Sequence, residues 1–279
     1  GEKENTSLEL YADGMKIVCL KGGLGNQMFE YCRFRDLMES GHDEVYLFYD
    51  HRRLKQHNGL RLSDCFELEL PSCPWGIKLV VWGLKIWRAV GVLKRLYDDE
   101  KPEAVLIDDY SQHRRFIPNA RRYFFFRQFL AELQSGFVQM IRAVDYPVSV
   151  HVRRGDYLHP SNSSFGLCGV DYFQQAIAYV RKKRPDARFF FFSDDMEWVR
   201  ENLWMEDAVY VEHTELLPDY VDLYLMTLCR GHIISNSTFS FWGAYLAVDG
   251  NGMKIYPRRW FRDPTWTSPP IFSEEWVGL

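Results

Sequence analysis

Two guanidiniums and a carboxylate follow directly on a run of valines: Pro147 to Tyr157 reads PVSVHVRRGDY. Val148, Val150 and Val152 alternate with Ser149 and His151, the period-two pattern of a buried strand. Arg153, Arg154 and Asp156 therefore arrive at the strand's carboxyl end, the edge at which open α/β sheets bind ligands, and Gly155 frees the backbone for a close approach. Planar guanidinium groups suit phosphate oxygens, so the expected chemistry is phosphate binding and neutralisation of charge that develops on it. A surface ion pair at a strand end is the plainer alternative. An Arg-Gly-Asp adhesion tripeptide is disfavoured by flanks that read as sheet core.

Two more polar clusters close predicted strands: Ser193-Asp194-Asp195 after 188–192, and Ser235 to Ser240 (SNSTFS) after 232–235. In a parallel sheet all three carboxyl ends share one edge, so the clusters converge on one crevice. A carboxylate can accept two donors from guanine, which makes Asp194 or Asp195 a base reader, and His151 can add a contact. Asn236, Ser237, Thr238, Phe239 and Ser240 open a helix with hydroxyls and amides, an arrangement that holds an anion, with an ordinary N-cap at Ser237 or Thr238 as the alternative. The acid pairs, Asp98-Asp99 and Asp108-Asp109 included, lack the Asp-x-Asp spacing of metal sites in sugar transfer. With two arginines to neutralise a pyrophosphate, no metal and no cofactor are expected.

Near the start, GGLGNQMF (22–29) follows a predicted strand over 16–20. Gly23-x-Gly25 lacks the third glycine of a dinucleotide fingerprint, and no P-loop Lys-Ser/Thr follows. Two readings stand: a tight turn presenting Gly23, Gly25, Asn26 and Gln27 to a ligand, or a common βα turn capped by Asn26. Further strands are predicted over 44–50 and 104–109, and helices to about Ser40, over 77–97 and over 123–143. The 77–97 segment carries only positive charge. It can lie on an anionic membrane surface or, the favoured reading, pack on its own domain. Beyond Pro147 strands and helices alternate as in a doubly wound α/β sheet. Three segments result: 1–14, polar, patternless and expected to be disordered or foreign, with Met15 as the natural start; an α/β domain over 15–145; and a nucleotide-binding, Rossmann-like domain over 146–279.

The 279 residues carry 34 basic and 38 acidic side chains, a net charge of −4 that offers no field for nucleic acid. Six scattered cysteines without metal spacing are expected to be free thiols in a reducing compartment. The sequons at Asn5, Asn162 and Asn236 read as coincidental. No apolar run is long enough to span a membrane and no cleavable signal opens the chain.

HVRRGDY (151–157), SDD (193–195) and NSTFSFWGA (236–244), together with GGLGNQMF (22–29), four motifs in the right order along a stretch from 15 to about 260, resemble the motifs of bacterial-type α-1,2-fucosyltransferases. That family's third motif reads Ser-Trp-Trp where this chain has Ser240-Phe241-Trp242. The resemblance implies two Rossmann-like domains in a GT-B-like fold and metal-free, inverting transfer of L-fucose from GDP-β-L-fucose to the 2-hydroxyl of a terminal galactose. It implies that Arg153 holds the β-phosphate, that Arg154 and Asp156 brace the loop, that His151 and one of Asp194 or Asp195 contact guanine, and that 237–240 bind phosphate. Asn26 would face fucose and acceptor, and Asp156 is a candidate base. A cytoplasmic enzyme, with an option of contact at the inner membrane face, is expected. A protein O-fucosyltransferase and a non-catalytic glycan-binding module are the alternatives.

Overall fold

The computed structural model describes residues 14–55, 58–91, 94–97, 103–133, 135–158, 166–213 and 217–279. The lead-in to residue 13, Asn5, Asp98, Asp99 and Asn162 lie outside this set, as do the side chains of Arg95 and Asp156. Two compact units divide the chain, 1–125 and 126–279.

In the second unit six parallel strands line up: β4 (Tyr146–Val152), β5 (Ala187–Ser193), β6 (Val209–Tyr210), β7 (Gly231–Ile233), β8 (Lys254–Tyr256) and β9 (Val277–Gly278), in the order β6-β5-β4-β7-β8-β9. Chain direction across the sheet reverses between β4 and β7, which makes their carboxyl ends the topological switch point. All seven residues of β4 are buried. Its valines share a core with Phe189 and Phe191 of β5 and with Phe173, Ala176 and Val180 of α4 (Val170–Lys183). Phe189 to Phe192 are all fully buried, at about 1.5–3 kcal/mol each, as a strand covered on both faces requires. Helices α5 (Met196–Asn202), α6 (Tyr220–Thr227) and α7 (Thr238–Tyr245) complete the β-α alternation. Gly243 lets α6 and α7 approach, since a Cβ there would stand 2.9 Å from the Met226 methyl. Phe241 is fully buried and stacks on Trp276 (5.3 Å) and Tyr245 (5.4 Å), so an aromatic cluster absorbs the departure from Ser-Trp-Trp.

The first unit holds a parallel sheet β2-β1-β3 built from β1 (Met15–Leu20), β2 (Glu44–Tyr49) and β3 (Leu106–Ile107). Helix α1 (Leu24–Glu39) follows the glycine turn, and α2 (Trp75–Ala89) sets Ile77, Val81 and Leu84 against Ile17, Cys19 and Leu106.

Three expectations change. The helix over 77–97 ends at Ala89, because Gly91 takes a left-handed φ of +72° and only a short turn at Lys94–Leu96 follows. The helix over 123–143 does not form as one element: Phe129–Leu133 and Ser135–Arg142 (α3) are helical, while the aromatic run before them is not. The Phe125 carbonyl accepts from Glu67 N–H (2.7 Å) and Phe124 packs on Phe66 in the first unit, whereas Phe126 packs on Tyr224 in the second. That division of the aromatic run moves the boundary from 145 to 125, and α3 belongs with the second unit. A sixth strand, β9, escaped the sequence because two residues carry no periodicity.

The turn after β1 assigns its glycines differently from the sequence. Gly22, not Gly23, holds the positive φ (+70°), and a Cβ there would lie 2.7 Å from Asn26 Nδ2. Gly23 has an ordinary φ of −76° and open space around it. Gly22→Ala should therefore lose roughly 1–2 kcal/mol or more, and Gly23→Ala should be neutral or slightly stabilising. Chemical denaturation of the two variants checks this; equal stability would contradict the turn geometry.

Candidate active site

At the switch point of the second unit, Val150 pairs with Ile233, and three residues beyond that pair lie Arg153 and Asn236. Arg153 leaves the sheet and its guanidinium sits 3.2 Å from Asp194, with about a third of the side chain exposed. Asp194 Oδ1 also accepts from Arg154 N–H (2.9 Å) and Oδ2 from Gly155 N–H (3.0 Å). Hydrogen bonds to a charged acceptor contribute about 1.5–3 kcal/mol each, so this one carboxylate shapes the arginine loop. Gly155 is required here, because a Cβ would meet Asp194 Oδ2 at 2.6 Å. Asp195 caps α5 through Trp198 N–H (3.2 Å) and accepts from Arg154 Nε (3.0 Å), while the Arg154 guanidinium lies over the Trp198 ring at 4.0 Å. Arg154 is thus a brace, held by a carboxylate and an indole. Both acids carry structural duties that the sequence did not reveal, and both retain lone pairs.

His151 is buried, with one ring nitrogen bonded to the Ser240 hydroxyl, which in turn lies 3.0 Å from the Ser235 hydroxyl; the Phe239 ring lies 5.4 Å away. Burial first, and the Arg153 charge second, push its pKa down to about 3, so the imidazole is neutral. One register step back, Ser149 Oγ meets His232 Nδ1 at 2.8 Å. The polar alternation of β4 is therefore satisfied inside the fold, by β7 and α7, not by solvent.

Asn236 differs most from its sequence assignment. It is buried; its amide nitrogen donates to the carbonyls of Gly166 (2.6 Å) and Trp260 (2.8 Å), its side-chain oxygen lies 3.4 Å from Cys168 Sγ, and its own carbonyl accepts from Tyr157 OH (3.0 Å). It pins two loops and is not available as a phosphate donor, nor as a glycan acceptor. Ser237 is the N-cap of α7 but makes no side-chain capping bond, so the cap alternative through its hydroxyl does not hold; Thr238 and Phe239 begin the helix. The positive end of α7 thus stands at the sheet edge where Arg153 emerges, an arrangement that can bind and neutralise a phosphate. Beside it opens a cavity of about 840 Å³ lined by Tyr157, Cys168, Gln175, Arg259 and Arg262 among others. Arg259 and Arg262 follow β8, where no motif drew attention to them.

In the first unit, β1 and β3 form a second switch point. Lys21 Nζ lies 3.6 Å from Asp108 Oδ1 and 4.6 Å from the centre of the Tyr110 ring, and Gln112 donates to Asn26 Oδ1 (2.9 Å). Asn26 is not a cap but the third residue of α1, whose N-cap is Gly23; Gly25 is buried inside the helix. Gln27 is fully buried, bridging the carbonyls of Gly22 (3.0 Å) and Gly59 (2.9 Å) and accepting from Arg61 N–H (3.1 Å). It is a pin like Asn236. The sequence missed Glu30, fully buried, which accepts from Lys21 N–H (2.8 Å) and whose pKa burial raises well above the usual carboxyl range. Among the described residues no group of three or more His, Cys, Asp or Glu is placed to hold a metal, and no helix is long and apolar enough to cross a membrane. The six cysteines are free and all but Cys73 are buried.

The profile of Glycosyl transferase family 11 matches residues 119–279, more than half of the chain, and the chain belongs to that family. It is a glycosyltransferase. An alpha-1,2-colitosyltransferase of Escherichia coli is 27% identical over 94% of this chain and 98% of its own length, and galactoside 2-alpha-L-fucosyltransferase SEC1 of Bos taurus is 28% identical over 95% and 74%. Fucosyltransferase NodZ from Bradyrhizobium, a solved structure, is 16% identical with a TM-score of 0.52, covering 84% of this chain and 93% of that one. The likeness shows the fold, α/β and GT-B-like.

A neutral His151 makes stability depend on pH. Its folded pKa lies below its unfolded value of about 6.5, so on acidification the unfolded chain takes the proton first, and stability falls from pH 6.5 toward 3. The slope contributed is at most about 1.36 kcal/mol per pH unit. His151→Asn should flatten the wild-type slope between pH 7 and 5 in urea unfolding. Parallel profiles would place the imidazole in water.

Proposed function

We propose that this member of glycosyl transferase family 11 moves L-fucose from GDP-β-L-fucose to the 2-hydroxyl of a terminal galactose, with inversion and without a metal. The observation that carries the reading is Arg153, emerging at the β4/β7 switch point beside the positive end of α7. The names of the relatives support the linkage: an α-1,2 transferase in Escherichia coli and a galactoside 2-fucosyltransferase in Bos taurus. Solved NodZ, an α-1,6-fucosyltransferase co-crystallised with GDP, shares the fold with a TM-score of 0.53. The relatives named here do not favour the protein O-fucosyltransferase and lectin alternatives.

In this mechanism the acceptor oxygen attacks the anomeric carbon on the face opposite GDP. The bond from that carbon to the β-phosphate oxygen breaks, and its electron pair stays on the phosphate. Arg153 and the α7 amides stabilise that charge as it forms, where a preorganised positive site acts most strongly. An oxocarbenium-like transition state needs little base help, so the acceptor proton passes to a departing phosphate oxygen or to Asp156. The resemblance assigns Asn26 of the glycine turn to the fucose and acceptor. One second reading has specific support: colitose as the transferred sugar, from the Escherichia coli relative that aligns along nearly its whole length.

Incubation with GDP-fucose or GDP-colitose and a panel of β-galactosides, with and without EDTA, tests donor, linkage and metal together. An α-1,2 fucoside formed at equal rate in EDTA is expected; another linkage, or strict dependence on Mn²⁺ or Mg²⁺, overturns the reading. Arg153→Ala should lower kcat by about 10²–10³ with folding retained, and an active variant would remove the arginine from the mechanism. For the acids, Asp194→Asn and Asp195→Asn separate two roles through GDP and ADP affinities. A guanine contact predicts a loss of about 1–3 kcal/mol for GDP alone in one variant, whereas pure loop bracing weakens both nucleotides alike.

A further inference from the structure

Helix α2 carries two apolar stripes on opposite sides. Ile77, Val81 and Leu84 face the sheet and are buried. At 100° per residue, Trp75, Leu79, Trp82 and Ile86 fall about 180° away from them, in a single line along the helix. These four are in solvent: Trp75 is 73% exposed, Trp82 68%, Leu79 48% and Ile86 42%, and Val90 just past the helix end continues the line at 65%. Two exposed tryptophans and three exposed aliphatics in one stripe exceed the scattered apolar exposure of an ordinary surface. The core has no use for them, since Trp87, not Trp82, joins the packed side.

Charge selects the occupant. The helix contains no acidic residue, and Lys78 and Lys85 lie on the same flank of the exposed stripe. Lys78 is exposed on that flank, whereas Lys85 turns to Asp108 (3.8 Å), a carboxylate it shares with Lys21 (3.6 Å) and Arg88 (3.3 Å). We propose that the outer stripe of α2 docks this protein on an anionic lipid surface, with Trp75, Leu79, Trp82 and Ile86 entering the headgroup region and Lys78 meeting lipid phosphate. Indole rings belong at that depth, where one edge is apolar and the N–H finds a partner. A second copy of the chain fits less well, because two such helices face to face bring lysines together with no acid on either. The helix lies on the surface and does not span it; its fifteen residues are too few to cross.

Flotation of the full chain with vesicles tests this without reference to activity. Vesicles of phosphatidylethanolamine with phosphatidylglycerol should carry the protein, phosphatidylcholine vesicles should not, and salt should weaken the binding. Trp82→Ser/Ile86→Ser should abolish flotation. Lys78→Gln should reduce the partition coefficient roughly fivefold, the equivalent of about 1 kcal/mol per basic residue. All these side chains are on or near the surface, and unchanged GDP affinity and circular dichroism would show that the variants are folded. Binding to neither vesicle type overturns the proposal. So does a concentration-dependent dimer that Trp82→Ser/Ile86→Ser dissociates, since the stripe would then be an interface between copies.

Discussion

A strand buried on both faces cannot carry charge until it leaves the sheet, and the site depends on that constraint. Moving an ion into such an interior costs several kcal/mol even after relaxation, so β4 is apolar or neutral throughout and turns ionic within one residue of its end. The change of character at Val152–Arg153 is therefore dictated by desolvation. It places both guanidiniums at the one sheet edge where six parallel strands also deliver Asp194, Asp195 and the start of α7.

Charge concentrated at an edge still has to be held in place. Asp194 does so by accepting two backbone N–H groups and Arg153, and Asp195 by linking the cap of α5 to Arg154. Arg154, clamped between carboxylate and indole, has little freedom to swing toward a ligand, whereas Arg153 lies 3.2 Å from Asp194 and keeps a third of its side chain in solvent. In the proposed mechanism the two adjacent arginines divide the work: one holds the loop and the other meets incoming charge. Inside the sheet, the contact of His151 with Ser240 ties β4 to the first turn of α7, so strand end and helix start are positioned by the same hydrogen-bond network.

Much of this was legible in the sequence because it is periodic or compositional. Alternating valines, four consecutive phenylalanines and the β-α repeat give the second unit's sheet and the convergence of its three polar strand ends. What was not legible is partnership. Nothing in NSTFS distinguishes Asn236, which bonds Gly166 and Trp260 at separations of 70 and 24 residues, from its neighbours. Gln27 and Glu30 lie in a motif and a helix whose spacing gives no sign that their polar atoms are turned inward. The boundary was misplaced for a related reason: Tyr123 to Phe126 is uniformly aromatic, so only the packing of Phe124 and Phe126 into different units reveals where the chain changes core.

Motif residues of these two kinds fail in different ways when altered. Asn236 and Gln27 satisfy backbone carbonyls that are buried or partly buried, so their loss removes two or more hydrogen bonds, at about 1–3 kcal/mol for each buried group left unsatisfied. Damage of that size falls on folding and reaches chemistry only indirectly. Arg153 has the opposite profile, with about a third of its side chain in solvent, so in the proposed mechanism the cost of its loss falls on the transition state. On that proposal, burial and direction of hydrogen bonding separate the residues that build the site from the residue that acts in it, and a short sequence pattern records both kinds in the same letters.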